Sequence, residues 1–287
     1  MSADEQQQDP VYQGHRLRKR LRAAREQAGL THLDVAERLE WSPSKINRIE
    51  TGKVGLSITD ARVLMDLYGI SDPAEVEEIT ELARAARRPP WWAPYRNAAP
   101  PEFMRHLSYE SSAIRISAFQ CTVIPGLLQT EEYAKVVLRD SSDPVNQLEL
   151  RLQRQERIVH RGGPRLNFIL DEAAIRRVVG GEQTMKQQLE KLLTVNELPN
   201  VQIKVVPFTA GLYPQFRSPY VLFEFAEEDE DLIAYLEKPD GQVFLSERSP
   251  YAGIKGPDPS DYLDDFWTVN RNFAEDITPE LLFGNVA

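Results

Sequence analysis

The stretch THLDVAERLEWSPSKINRIETG, residues 31–52, decides how the first part of this chain folds. Val35, Ala36 and Leu39 fall on one helical face, and Ile46 and Ile49 fall on one face of a second helix. Between them, Glu40-Trp41-Ser42 leaves room only for a tight corner. Thr31 is a good N-cap, and Asp34 places a carboxylate in the first turn, where the helix N-terminus favours negative charge. Ser42-Pro43 is a second helix start, with Ser as cap and Pro at the first helical position, where its missing N–H costs nothing. Gly52 suits a left-handed stop. Ala36 is small where two steeply crossing helices must approach. The second helix turns Ser44, Lys45, Asn47 and Arg48 away from its apolar face, and these side chains can donate to base edges and phosphates. An ordinary helical hairpin uses the same caps. The small residue, short corner, apolar pair and donor-bearing helix, in that order, favour a helix-turn-helix.

Working outward, Leu17, Leu21, Ala24 and Ala28 recur at helical spacing from His15 to Ala28, and Gly29 stops that helix. Arg16, Arg18, Lys19, Arg20, Arg22 and Arg25 crowd it. They read as a solvated basic face or as phosphate contacts, with Arg18 assigned to the DNA-facing set. Residues 1–10 are acidic and polar and read as a disordered tail. After the loop Lys53-Val54-Gly55, a helix opening at Ser57 or Thr59 turns Ala61, Leu64, Met65 and Tyr68 inward. Asp72-Pro73 caps a fifth helix bearing Val76, Ile79, Leu82 and Ala86.

Residues 15–70 resemble the Cro/CI-type helix-turn-helix of XRE-family bacterial regulators. The resemblance implies DNA contacts from His32, Ser44, Lys45, Asn47 and Arg48, with Thr31, Ser42, Thr51 and Lys53 near phosphates. The chain departs from that pattern in two places: His32 stands where Gln is usual, and Glu40 stands at the usual corner Gly. A corner needing positive φ would cost Glu40 about 1 kcal/mol or more.

Bulk composition agrees with DNA binding confined to one end. The 287-residue chain is 41% hydrophobic and 27% charged, ordinary for a globular protein with room for two domains. Net charge is −10, yet residues 11–70 carry 11 Lys/Arg against 7 Asp/Glu and the remainder 23 against 37. The single cysteine, Cys121, excludes an intramolecular disulfide and a Cys-rich zinc site. Its apolar neighbours predict a buried strand thiol. No run approaches the roughly 20 apolar residues of a membrane span, and the N-terminus lacks a signal-type apolar region, so a cytoplasmic location is expected.

Residues 89–100 read as a Pro/Trp linker between a helical domain at 11–88 and a larger domain at 101–287. Its Trp91, Trp92 and Tyr95 read as docking aromatics or as a stacking site for peptide or base. In the larger domain the pattern predicts a helix over 103–116 and a strand over 119–124. It then predicts a capped helix after Thr130, and a long helix over 144–160 with Leu148, Leu152 and Val159 inward. Further on it predicts a strand over 165–170, a helix over 183–193, strands over 201–206, 220–225 and 232–236, and a terminal helix over 261–273. The last strand pair closes across the acidic turn 227–231. With no short βαβ repeat, the expected fold class is α+β overall: an all-α five-helix Cro/CI-type domain followed by a larger α+β domain.

IPGLLQTEEYA, RLQRQ, DEAAIRR followed by Gly180, and VVPF resemble the large C-terminal domain of WhiJ-like actinobacterial regulators. That resemblance implies a regulator, often antitoxin-like, encoded beside a small partner protein, whose second domain reads a protein or ligand cue.

Chemistry-bearing motifs are sparse. The four histidines show no metal-ligand spacing, and there is no phosphate loop or nucleophile elbow, so no metal, cofactor or catalytic residue is expected. Asp171-Glu172 at a strand end, with Arg151, Arg154, Arg176 and Arg177, reads either as an N-cap with ion pairs or as a partner or ligand site. Catalysis is the weaker reading. Pro125-Gly126-Leu127-Leu128 reads as a turn with inward leucines or as a docking loop. The expected function is sequence-specific DNA binding, with a partner- or ligand-sensing second domain; an antitoxin-like interaction protein and a DNA-tethered enzyme are the competing classes. One recognition helix buries too little surface for tight binding, so a homodimer on a near-palindromic operator is expected.

Overall fold

The computed structural model describes residues 9–226, 232–238, 241–246 and 258–284. They fall into two compact units, divided between Ala93 and Pro94. The first is helical: α1 (Pro10–Gln27), α2 (His32–Leu39), α3 (Pro43–Glu50), α4 (Ile58–Tyr68) and α5 (Pro73–Ala85). Helix α1 begins five residues before the expected His15. The Asp9 carboxylate accepts from the backbone N–H groups of Val11 and Tyr12, at 3.0 and 3.2 Å, with Pro10 at the first helical position. Asp9 and Pro10 therefore belong to a helix start, not to a tail; residues 1–8 lie outside the described set. Ser57 caps α4 and Asp72 caps α5 through their side-chain oxygens.

Leu17 and Leu21 of α1, Val35 of α2, Ile46 and Ile49 of α3, Leu64 and Met65 of α4 and Ile79 of α5 form one apolar core. Each large side chain there contributes roughly 1.5–3 kcal/mol by leaving water. Val35 and Ile46 are almost wholly buried on the facing sides of α2 and α3, which fixes the outward face of α3 by helical period.

The second unit is built on a seven-stranded sheet with α6 (Pro101–Ser112), β1 (Arg115–Gln120), α7 (Glu131–Leu138), α8 (Pro144–Ile158), β2 (Arg165–Asp171), α9 (Glu172–Arg176), α10 (Glu182–Asn196), β3 (Val201–Val206), β4 (Tyr220–Glu224), β5 (Ile233–Lys238), β6 (Gly241–Ser246), α11 (Pro259–Asn272), β7 (Glu275–Asp276) and α12 (Pro279–Phe283). The strand order is β6-β5-β4-β1-β2-β3-β7. Strands β1, β2 and β3 run parallel, with Phe119 opposite Ile169 and Ile169 opposite Lys204; β4 to β6 add antiparallel pairs, with Val221 opposite Tyr235. Helices α7 and α8 connect β1 to β2, and α9 and α10 connect β2 to β3. Parallel neighbours require such crossovers. The mixed sheet keeps the chain α+β, but the expectation of no βαβ unit is corrected for these three strands.

Helix α11 covers one sheet face, where Tyr262, Phe266 and Val269 pack on Phe119, Tyr220 and Leu236. Helix α6 covers the other, where His106 meets the rings of Phe223 and Tyr235. Burial on both faces explains why β1 was misplaced from sequence. RISAFQ is buried from Ile116 to Gln120 and shows no alternation, so its first residues read as helix. The helix expected over 103–116 ends at Ser112, and Cys121 lies just past the strand, half-buried, where burial and then the nearby Asp171 push its thiol pKa up. Helix α8 buries Leu150, Arg154 and Ile158 rather than the expected Leu148, Leu152 and Val159. Helix α11 is not terminal, because α12 follows it. The acidic turn 227–231 lies outside the described residues.

Candidate nucleic-acid interface

Helices α2 and α3 are set by reciprocal caps. The Thr31 hydroxyl accepts from Asp34 N at 3.2 Å, and Asp34 Oδ2 accepts from Thr31 N at 2.7 Å, a complete capping box. Ser42 Oγ accepts from Lys45 N at 3.1 Å and starts α3, with Pro43 at its first position. The corner is left-handed at Glu40, φ 53°, and Trp41 N closes it by donating to Ala36 O at 2.9 Å. Gly52 takes φ 75° just past α3. A Cβ there would sit 2.9 Å from Arg18 Cζ, so glycine also admits the half-buried Arg18 against the end of α3.

The outward face of α3 carries Ser44, Asn47 and Arg48, all exposed, with exposed Thr51 and Lys53 following. Among the described residues, nothing hydrogen-bonds to the side chains of Ser44 or Arg48. Lys45 is held differently: its ammonium lies 3.3 Å above the Trp41 ring and 3.3 Å from Asp60 Oδ1. Thr51 Oγ1 donates to Asn47 O at 2.7 Å. His32, at the first position of α2, places Nε2 2.9 Å from Glu50 Oε2.

Glu50 organises the inner side of this surface. Arg25 Nε and Nη2 donate to its two oxygens at 2.6 and 3.1 Å, and Arg25 Nη1 donates to Leu30 O at 2.6 Å. Burial raises the Glu50 pKa, but the hydrogen bonds from Arg25 and His32 outweigh it and hold the carboxyl below its ordinary value. Arg25 is thus buried and paired, which corrects its place on a solvated basic face. Arg20 pairs with Glu78 at 2.8 Å and Arg22 with Glu26 at 2.9 Å. The sequence reading missed Glu50; it lies four residues after the buried Ile46, on the same side of α3, a position readable from the helical period.

The second candidate cluster comes apart. Asp171 Oδ1 caps α9 by accepting from Ala173 N at 2.8 Å, and its other oxygen accepts from the Tyr213 hydroxyl. Glu172 accepts from Arg176 Nε at 3.0 Å and from Phe208 N at 2.7 Å. Arg176 also donates to the carbonyls of Leu281 and Leu282, and Arg177 to that of Thr122. Asp171 and Glu172 therefore tie β2 to neighbouring segments. The expected company of Arg151 and Arg154 is corrected: Arg154 lies buried on Glu110, with Nε and Nη2 at 2.9 and 2.7 Å from its oxygens, and Arg151 donates to Gln129. Trp91 and Trp92 are half-buried, and Trp92 Nε1 is buried without a hydrogen-bond partner among the described residues. Leu127 and Leu128 pack inward, so the leucines of the docking-loop reading are not exposed.

A family model described as a domain of unknown function, DUF5753, matches residues 103–256, more than half of the chain. The chain belongs to the DUF5753 family. A helix-turn-helix domain model matches residues 16–79, which span most of α1 to α5. No curated protein and no solved structure matches it. This DUF5753 protein therefore joins an N-terminal helix-turn-helix to an uncharacterised α+β domain. Among its described residues, no helix is long and apolar enough to cross a membrane, and no cluster of His, Cys, Asp and Glu is arranged to hold a metal ion.

Proposed function

We propose that this protein is a sequence-specific, DNA-binding transcriptional regulator of XRE type, WhiJ-like in organisation, acting as a homodimer on a near-palindromic operator. The observation that carries the reading is the polarity of α3: Ile46 and Ile49 are buried, while Ser44, Asn47 and Arg48 face solvent on a helix capped at Ser42. In this reading Ser44, Asn47 and Arg48 meet base edges, and Thr31, Ser42, Thr51, Lys53 and Arg18 lie along phosphates. Lys45, held by Trp41 and Asp60, serves as a positioned charge rather than a mobile reader. His32, tethered by Glu50, presents its other ring nitrogen at the start of α2. The larger domain senses a small partner protein encoded nearby or a small ligand, and the protein works without catalysis, in the cytoplasm.

Operator selection from random DNA, followed by titration of variants, tests this. Arg48→Ala should lose roughly 1–3 kcal/mol and relax base preference at one position. Lys53→Ala should weaken all sequences alike and lower the salt slope by about one. Unchanged affinity and preference in both variants would overturn the assignment of the face.

A further inference from the structure

We propose that Arg151 and Lys191, on either side of Gln129 in the loop before α7, form a binding site for a small oxyanion, a carboxylate or a phosphate. The site gives a chemical class to the cue that the proposed regulator senses, and it rests on that reading only for its regulatory meaning.

The loop is held by side chains from two helices, α8 and α10. Gln155 Nε2 donates to Gly126 O and Gln129 O, at 2.7 and 2.9 Å, and Gln188 Nε2 donates to Leu128 O at 2.8 Å. Into this frame project two cations. Arg151 Nη1 donates to Gln129 Oε1 at 2.5 Å, and Lys191 Nζ donates to Gln129 O and Gln155 Oε1 at 2.7 and 2.9 Å. All of these acceptors are neutral amide oxygens. A third cation, Arg154, is adjacent, and the buried Glu110 neutralises it. Glu237 also acts electrostatically on Arg151, but among the described residues no carboxylate forms an ion pair with Arg151 or Lys191.

Elsewhere this molecule gives its buried guanidiniums a carboxylate: Glu50 for Arg25 and Glu110 for Arg154. Among the described residues Arg151 and Lys191 have no such partner, and burial, reinforced at Arg151 by Arg154, pushes both pKa values down, Arg151 to about 10. Arg151 therefore remains charged at neutral pH, and among the described residues neither cation is paired with a carboxylate. Amide oxygens satisfy hydrogen bonds but do not cancel charge.

The second observation is an orphaned donor. Arg151 Nε is buried with no hydrogen-bond partner among the described residues. Since Nη1 is occupied by Gln129, Nε belongs to the opposite edge of the guanidinium, the one that grips two oxygens of a carboxylate or phosphate. Gly126 places no side chain before it. A Cβ at that position would lie 3.4 Å from Arg151 Nε and 3.5 Å from Arg154 Nη1, so the missing side chain matches the place an anion oxygen would take. Arg151 and Lys191 are half-buried, so part of each side chain meets solvent.

The test is calorimetric titration of the full chain with inorganic phosphate and, separately, with acetate, against chloride at matched ionic strength. One of the two should bind saturably, and the arm that saturates names the ligand class. Arg151→Met should weaken binding at least tenfold, and Lys191→Met by a similar factor. Gly126→Ala, which needs no change of backbone, should block the site while leaving circular dichroism and melting unchanged; it keeps the test decisive if Arg151→Met fails to fold. Operator affinity without the anion is measured in the same preparations. Anion binding lost with operator binding intact supports the site; operator binding lost alone overturns the regulatory reading and leaves the site standing. Absence of saturable binding to both anions, or wild-type binding by Gly126→Ala and Arg151→Met, overturns the proposal.

Discussion

Replacing Glu50 by alanine should destabilise the helical unit far more than a surface carboxylate would. The Glu50 side chain is 9% exposed, and it accepts both arms of Arg25 and the His32 ring. Its loss strands the Arg25 guanidinium, 9% exposed, with Leu30 O and the more distant Glu26 as its remaining partners among the described residues. Removing one member of a buried pair costs about 3–5 kcal/mol, because the remaining charge stays desolvated. Against a typical domain stability of roughly 5–15 kcal/mol, that is a large fraction. Hydrogen exchange followed by mass spectrometry reads the effect locally. Amide protection in α1, α2 and α3 should fall by roughly two to four powers of ten, while the second unit keeps its own. The double variant Arg25→Met, Glu50→Leu should recover most of the loss, since apolar side chains of similar size remove both charges together. The pH dependence follows from the depressed Glu50 pKa. Its stabilisation is complete above the unfolded carboxyl value, about 4.3, and disappears as pH falls through the lower native value. Glu50→Gln should therefore flatten this part of the acid limb. A loss below 1 kcal/mol in Glu50→Ala, or a double variant no better than the single, would refute the reasoning.

Glu40→Gly should stabilise the helical unit by about 0.5–1 kcal/mol, because relief of the φ 53° corner exceeds the added chain entropy, and a rise in its melting temperature checks this. Arg154→Met should cost the larger unit about 3–5 kcal/mol at pH 7 by leaving Glu110, 2% exposed, without its cation. In the wild type, burial alone would raise the Glu110 pKa, and the contact with Arg154 overrides it, holding the carboxyl down at about 2. Without Arg154 the burial effect dominates, so the variant should regain stability as pH falls from 7 to 5, and melting curves across that range give the sign.

The helix-turn-helix was legible because its determinants are local. Caps at Thr31 and Ser42, the Val35–Ile46 apolar spacing and the Gly52 stop all act within one or two turns, so a single sequence carries them. The start of α1 was also written locally, in Asp9-Pro10, but it was masked by the polar residues before it. The second unit was harder to read wherever burial came from both sides. Strand β1 lies between β2 and β4 and between two helical layers, so Ile116 to Phe119 are apolar or small without alternation, and its limits depend on partners 50 and more residues away. The charge pairings were likewise decided in space. Helical period predicts that Arg25, Glu50, Arg151 and Arg154 lie on helices. It does not say that Arg25 would find Glu50, that Arg154 would find Glu110, or that Arg151 would donate to the Gln129 amide. Those outcomes depend on which helices the core brings together, because charge compensation is a property of neighbours in three dimensions and not of neighbours along the chain.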